Sequence, residues 1–140
     1  MLARPVAPHR PPSSDEHSLF RTTARRALFL AALAGNLVVL YAPHPPATPG
    51  AGAGADKVVH AVVFAVLVLT GLRAGLRAAW FVPVVLAHAL TSEIVQEVLL
   101  PERQGDPWDA LADVVGTALG VAAHRWRRRS PSDSTPVARP

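Results

Sequence analysis

Val58-Val59-His60-Ala61-Val62-Val63-Phe64-Ala65-Val66-Leu67-Val68-Leu69-Thr70-Gly71-Leu72 has His60 and Thr70 as its only polar side chains. A helix built from it is apolar on every side, which suits the interior of a large protein or a bilayer. The chain has only 140 residues, 50% of them hydrophobic, and its apolar residues gather in blocks. Similar runs occupy 27–42, 78–95 and 108–123. Each falls short of the ~20 residues that a helix rising ~1.5 Å per residue needs to cross the hydrocarbon core, so flanking polar residues must lie near or within the membrane. A soluble bundle would need wet outer faces that these runs do not supply. The expected fold class is all-α, an integral membrane bundle of four transmembrane helices at approximately 26–42, 57–73, 78–98 and 108–126.

Basic residues set the expected orientation. Arg21, Arg25 and Arg26 precede the first helix, Arg73 and Arg77 lie between the second and third, and Arg125, Arg127, Arg128 and Arg129 follow the fourth. The alternate connections carry only Lys57 and Arg103. The positive-inside rule then makes this a multi-pass protein of the cell membrane with both termini cytoplasmic. The net charge of +4 is thus a topology signal with membrane lipids as partners, and no nucleic acid is expected. Segments 1–20 and 130–140, rich in proline, serine and charge, are expected as disordered cytoplasmic tails around a domain at 21–129. The proline- and glycine-rich stretch before Asp56 reads as a flexible outward loop. Cysteine is absent, which excludes a disulfide framework, a thiolate metal site and a cysteine nucleophile. Arginine supplies all but one of the 14 basic residues, which with heavy alanine and proline use points to a GC-rich bacterial genome. Arg25-Arg26 ahead of the first run also resembles a signal peptide. That run is long for a signal core, and Ala24 replaces the usual polar residue before a twin arginine.

The polar residues converge. Asp56, Lys57 and His60 open the second helix, Glu93, Gln96 and Glu97 close the third, and Arg103, Asp106, Asp109 and Asp113 lie at or after the turn into the fourth. In the expected topology all of them meet at the outer leaflet. Asp56 with His60, Glu93 with Gln96, and Asp109 with Asp113 have the spacing of one helix face. Ala112, Gly116 and Gly120 continue the Asp113 face as a ridge on which another helix can pack, within the chain or by self-association. Ionisable groups at membrane depth mark a functional site by default. The candidates for chemistry are His60, Glu93, Gln96, Asp109 and Asp113, with Lys57 and Arg103 as candidates to hold a lipid phosphate and the carboxylates to recognise amines or hydroxyls. A histidine with several carboxylates has the donors for a divalent metal, but no compact two-ligand helix motif is present, and neither a cofactor nor a metal is expected. Thr91 and Ser92 are the nearest hydroxyl nucleophiles, and His88, deeper in the third helix, reads as a helix-helix hydrogen-bonding residue. A purely structural polar clasp is the plainer alternative. The rival functional readings are a small proton-coupled transporter and a structural subunit of a membrane complex.

Taken in order, Asp56-Lys57-x-x-His60-x-x-x-Phe64, Ser92-Glu93-x-x-Gln96 with Pro101-x-Arg103, and Asp109 followed by Gly116-x-x-x-Gly120 resemble the VanZ-like family, named for a teicoplanin-resistance accessory protein. The resemblance runs from about Asp56 to Gly120. Asp113 stands where the family pattern leads one to expect an asparagine. The resemblance implies a small integral membrane protein of several transmembrane helices. The outward polar cluster itself is what favours binding or modifying a lipid-linked precursor of the cell envelope at an outward-facing polar pocket.

Overall fold

The computed structural model describes residues 14–42, 54–100 and 106–129. They form four α-helices: α1 (Ser14–Tyr41), α2 (Ala55–Arg73), α3 (Ala78–Leu99) and α4 (Pro107–Arg129). The fold is all-helical, and the last three helices agree closely with the apolar runs. His17–Tyr41, Ala55–Arg73 and Ala78–Leu99 are long and apolar enough to cross a membrane, which fits a membrane protein. α4 does not reach that measure. It carries Asp109 in its first turn, Asp113 one turn on, and Arg127, Arg128 and Arg129 in its last turn.

One boundary needs correction. α1 starts at Ser14, so residues 14–20 are helical and not part of a disordered tail. From Ser14 to Ala34 there is neither glycine nor proline, and Asp15 near the start suits the positive end of the helix dipole. Residues 1–13 and 130–140, the stretch 43–53 expected as an outward loop, and 101–105, which include Pro101 and Arg103, lie outside the described residues.

α2 is the centre of the bundle. It packs most extensively on α4 and also touches α1 and α3. The α2–α4 seam is close because Gly116 and Gly120 face α2. A Cβ on Gly116 would run into the Ala61 backbone, and one on Gly120 would lie 2.7 Å from the Ala65 carbonyl oxygen and 2.9 Å from Val68 Cβ. The small-residue ridge is therefore covered within the chain.

The turn from α2 to α3 is built by Gly75 at φ 101°, a left-handed conformation that glycine adopts without Cβ strain. The Leu76 amide donates to the Gly71 carbonyl at 3.1 Å and the Gly75 amide to the Leu72 carbonyl at 3.3 Å, a Schellman closure of α2. α3 tolerates Pro83 inside its length. Leu40, Phe64, Leu67, Val68, Leu72, Phe81, Val85 and Ala89 form the buried apolar core. Gly71 seats the Phe81 ring, which meets Phe29 edge-on at 5.8 Å. Among the described residues of α1 only Asn36 and Leu40 are fully buried. The outer surfaces of all four helices are strongly apolar, with Leu28, Val38, Val62, Val84, Leu90, Ile94, Leu111 and Leu119 all exposed.

Candidate functional site

The polar end of the bundle has two tiers. In the upper tier Lys57 Nζ, from the first turn of α2, lies 2.8 Å from Asp106 Oδ2, 3.2 Å from Asp109 Oδ1 and 3.4 Å from Asp56 Oδ2. Asp106 is also the N-cap of α4: its Oδ1 accepts the Trp108 amide at 2.9 Å, with Pro107 at the first helical position, where a missing N–H costs nothing. The Lys57 ammonium, helped by that amide, holds the Asp106 carboxyl below the usual carboxylate range. Sequence reasoning offered Lys57 as a phosphate holder. The structure instead meets its charge with three carboxylates of the same chain.

The lower tier sits one helical turn deeper. His60 Nδ1 and Asp113 Oδ1 are 3.0 Å apart, and both residues are buried. α4 approaches α2 this closely because Gly116, three residues after Asp113, lets its backbone rest on Ala61, the neighbour of His60. Glu93 enters from α3, and its Oε2 accepts the Asp106 amide at 2.9 Å, so an acid of α3 latches the start of α4. One ligand-capable atom from each of His60, Glu93 and Asp113 lies within 4.8 Å of the others. Two carboxylates held at that range repel by roughly 3 kcal/mol at an effective dielectric near 20. Among the described residues the buried Glu93 Oε1 and Asp113 Oδ2 find no hydrogen-bond partner, and neither does Thr117 Oγ1 one turn below.

Of the candidates, the structure brings together His60, Glu93 and Asp113, and sets Asp109 beside them through Lys57. Gln96 lies elsewhere. Its Nε2 donates at 3.0 Å to the Leu40 carbonyl, one of the last carbonyls of α1, which lack partners within their own helix. Thr91 and Ser92 donate at 2.8 Å to the Ala87 and Ala89 carbonyls of their own helix, an arrangement that does not prepare a nucleophile. His88 does bridge helices: Nε2 is 3.0 Å from Asn36 Oδ1 on α1, and its ring stacks on Phe64 at 5.8 Å.

Sequence reasoning passed over Asn36, a lone amide in an apolar run, although it lies one turn before Leu40 on the face that the described residues of α1 bury. Asp106 has no role in the sequence reading, although Asp followed by Pro at the head of a helical run is a start signal. Thr117, on the same face as Asp113, also went unremarked.

Comparison with known proteins finds no match to a family model, a curated protein or a solved structure.

Proposed function

We propose that the chain is a four-span membrane protein, both termini cytoplasmic, whose polar end faces outward and binds or modifies a lipid-linked molecule of the cell envelope. The observation that carries this reading is the depth of the lower tier. His60 lies five residues inside α2, and Glu93 and Asp113 six residues inside α3 and α4, about 8–9 Å below the helix ends at ~1.5 Å per residue. A lipid-linked molecule with its polar group at the boundary of headgroup and chain would meet acids at that depth from outside.

α4 is the fourth span in this reading. Its charged and small residues Asp109, Asp113, Gly116 and Gly120 are buried, while Leu111, Val114, Val115 and Leu119 are exposed. Trp108 and Trp126 are both exposed and bracket this stripe, about 27 Å apart along the axis, close to the ~30 Å of the hydrocarbon core. At the opposite end Arg25, Arg73, Arg127 and Arg128 line one basic cleft, as the positive-inside rule requires of a cytoplasmic face. The motif resemblance to the VanZ-like family agrees with an envelope role. Below His88 and Thr117 the interior is Leu67, Val68, Leu72, Phe81 and Val85, which favours a one-sided lipid site over a transporter pathway open in turn to both sides.

Single cysteines at Ala47, Ala74, Gln104 and Ser132 in this cysteine-free chain test the orientation. An impermeant reagent on intact cells is expected to label positions 47 and 104 and spare 74 and 132; the reverse pattern sinks the outward site. With the orientation established, Glu93→Gln is expected to insert normally, keep an oxygen for the Asp106 amide, and lose function in a complementation assay. Full activity in that variant removes the acid from the mechanism.

A further inference from the structure

His60, Glu93 and Asp113 come from α2, α3 and α4, and the atoms they offer lie within 4.8 Å of one another. Around a tetrahedral ion with bonds of about 2.0–2.2 Å, ligand atoms stand roughly 3.3–3.6 Å apart.

A second observation points independently to a ligand. Asp113 is 0% exposed, yet among the described residues its Oδ2 has no hydrogen-bond partner, and the buried Glu93 Oε1 has none either. Ionised carboxylates only accept, so the complement to the place where both acids meet is a positive group or a donor. Within the chain the nearest ammonium is already committed, since Lys57 lies against Asp56, Asp106 and Asp109. Among the described residues no lysine or arginine forms an ion pair with Glu93 or Asp113.

We propose that His60, Glu93 and Asp113 form a divalent-cation site of the zinc class. One neutral imidazole and two carboxylates carry a charge of −2, which a divalent ion cancels where an uncompensated buried charge is costly. An imidazole nitrogen draws the set away from Mg²⁺ and Ca²⁺, which prefer all-oxygen cages, and towards Zn²⁺. Three protein ligands leave a fourth position for water, the arrangement of a zinc site that does chemistry. Glu93 is the partly exposed member of the three, so the ion enters from its side. The site does not depend on the lipid reading: zinc uptake is measured with no lipid substrate present, and its failure leaves the orientation and envelope role to their own tests.

The experiment uses full-length protein, purified in detergent without a histidine tag, stripped with a chelator and titrated with Zn²⁺ against a fluorescent zinc indicator. The expected result is one equivalent bound at micromolar affinity or tighter. Glu93→Gln and Asp113→Asn should each weaken binding at least about tenfold, the loss already typical when only a ligand's hydrogen-bonded neighbour is removed. His17→Gln, at an exposed position early in α1, should bind as the wild type does. Because Asp113→Asn alters a packed position, helix content is recorded for each variant, and X-ray absorption of the wild-type zinc complex reads the donors directly. One imidazole with the remaining donors oxygen, at about 2.0 Å, is expected. Less than one equivalent, equal affinity in wild type and both acid variants, two or more imidazoles, or a preference for Mg²⁺ over Zn²⁺ would each overturn the proposal.

Discussion

Asp106 does three things with one residue. Its carboxylate pairs with Lys57 and caps the Trp108 amide, while its own amide is received by Glu93. Because its carboxyl lies below the ordinary carboxylate range, its ionised form favours the folded state. That contribution is complete above the ordinary value, about pH 4, and is lost as pH falls through the lower folded value. Wild-type protein in detergent is therefore expected to lose thermal stability on acidification below about pH 4. Lys57→Met removes the main cause and should show a shallower decline over the same range; superimposable profiles would mean that the pair does not contribute. The identity of Asp106 as a polar residue near a helix start was legible in the sequence. Its pairing with Glu93, thirteen residues away in the chain, was not, because it depends on how α3 and α4 return to the same end. Asn36 shows the reverse difficulty: apolar neighbours hid a buried amide whose partner, His88, lies on another helix.

Helix-scale features were the most legible, because a run with no wet face needs no tertiary information to be read as a span. α4 is the exception. Its composition is divided between an apolar outer stripe and an inner face of acids, glycines and Thr117, so averaged along its length it falls short of the apolarity of the other three, while the four-residue spacing of Ala112, Gly116 and Gly120 reads it as a packing face. The sequence could not say which helix receives that face. The structure gives it to α2, and the contact sets a ranking of substitutions. Gly116→Ala drives a methyl group into the Ala61 backbone, which has no rotamer by which to yield, and is expected to destabilise by about 1–3 kcal/mol. Gly35→Ala meets nothing within 4 Å in α1, and should be neutral or stabilise by about 0.5–1 kcal/mol through the better helix former. Denaturant titration of the two variants beside wild type in the same detergent checks the order; equal losses would show that the α2–α4 seam is looser than the packing indicates.

At the scale of the whole molecule the described charges of α2, α3 and α4 are sorted by end. Their acids, with Lys57 and His60, occupy the end where α1 and α3 finish and α2 and α4 begin; arginines crowd the other, where Asp15 of α1 also lies. The alternation of basic and non-basic connections made this polarity readable from the sequence, since an up-and-down path through four helices brings alternate connections to the same end. Distances inside the acidic end were beyond it, and they turn a list of polar residues into two tiers with different duties. The attachment of α1 has its own consequence. It is joined to the rest by the Gln96 amide on the Leu40 carbonyl, the Asn36–His88 pair and the Phe29–Phe81 ring contact, all of which lie outside the connecting segment 43–53. Those contacts recognise the helix itself and not its tether. A gene divided between codons 50 and 51 is thus expected to yield two polypeptides that find each other in the bilayer and copurify, with Asn36→Leu and Gln96→Leu together abolishing the pairing.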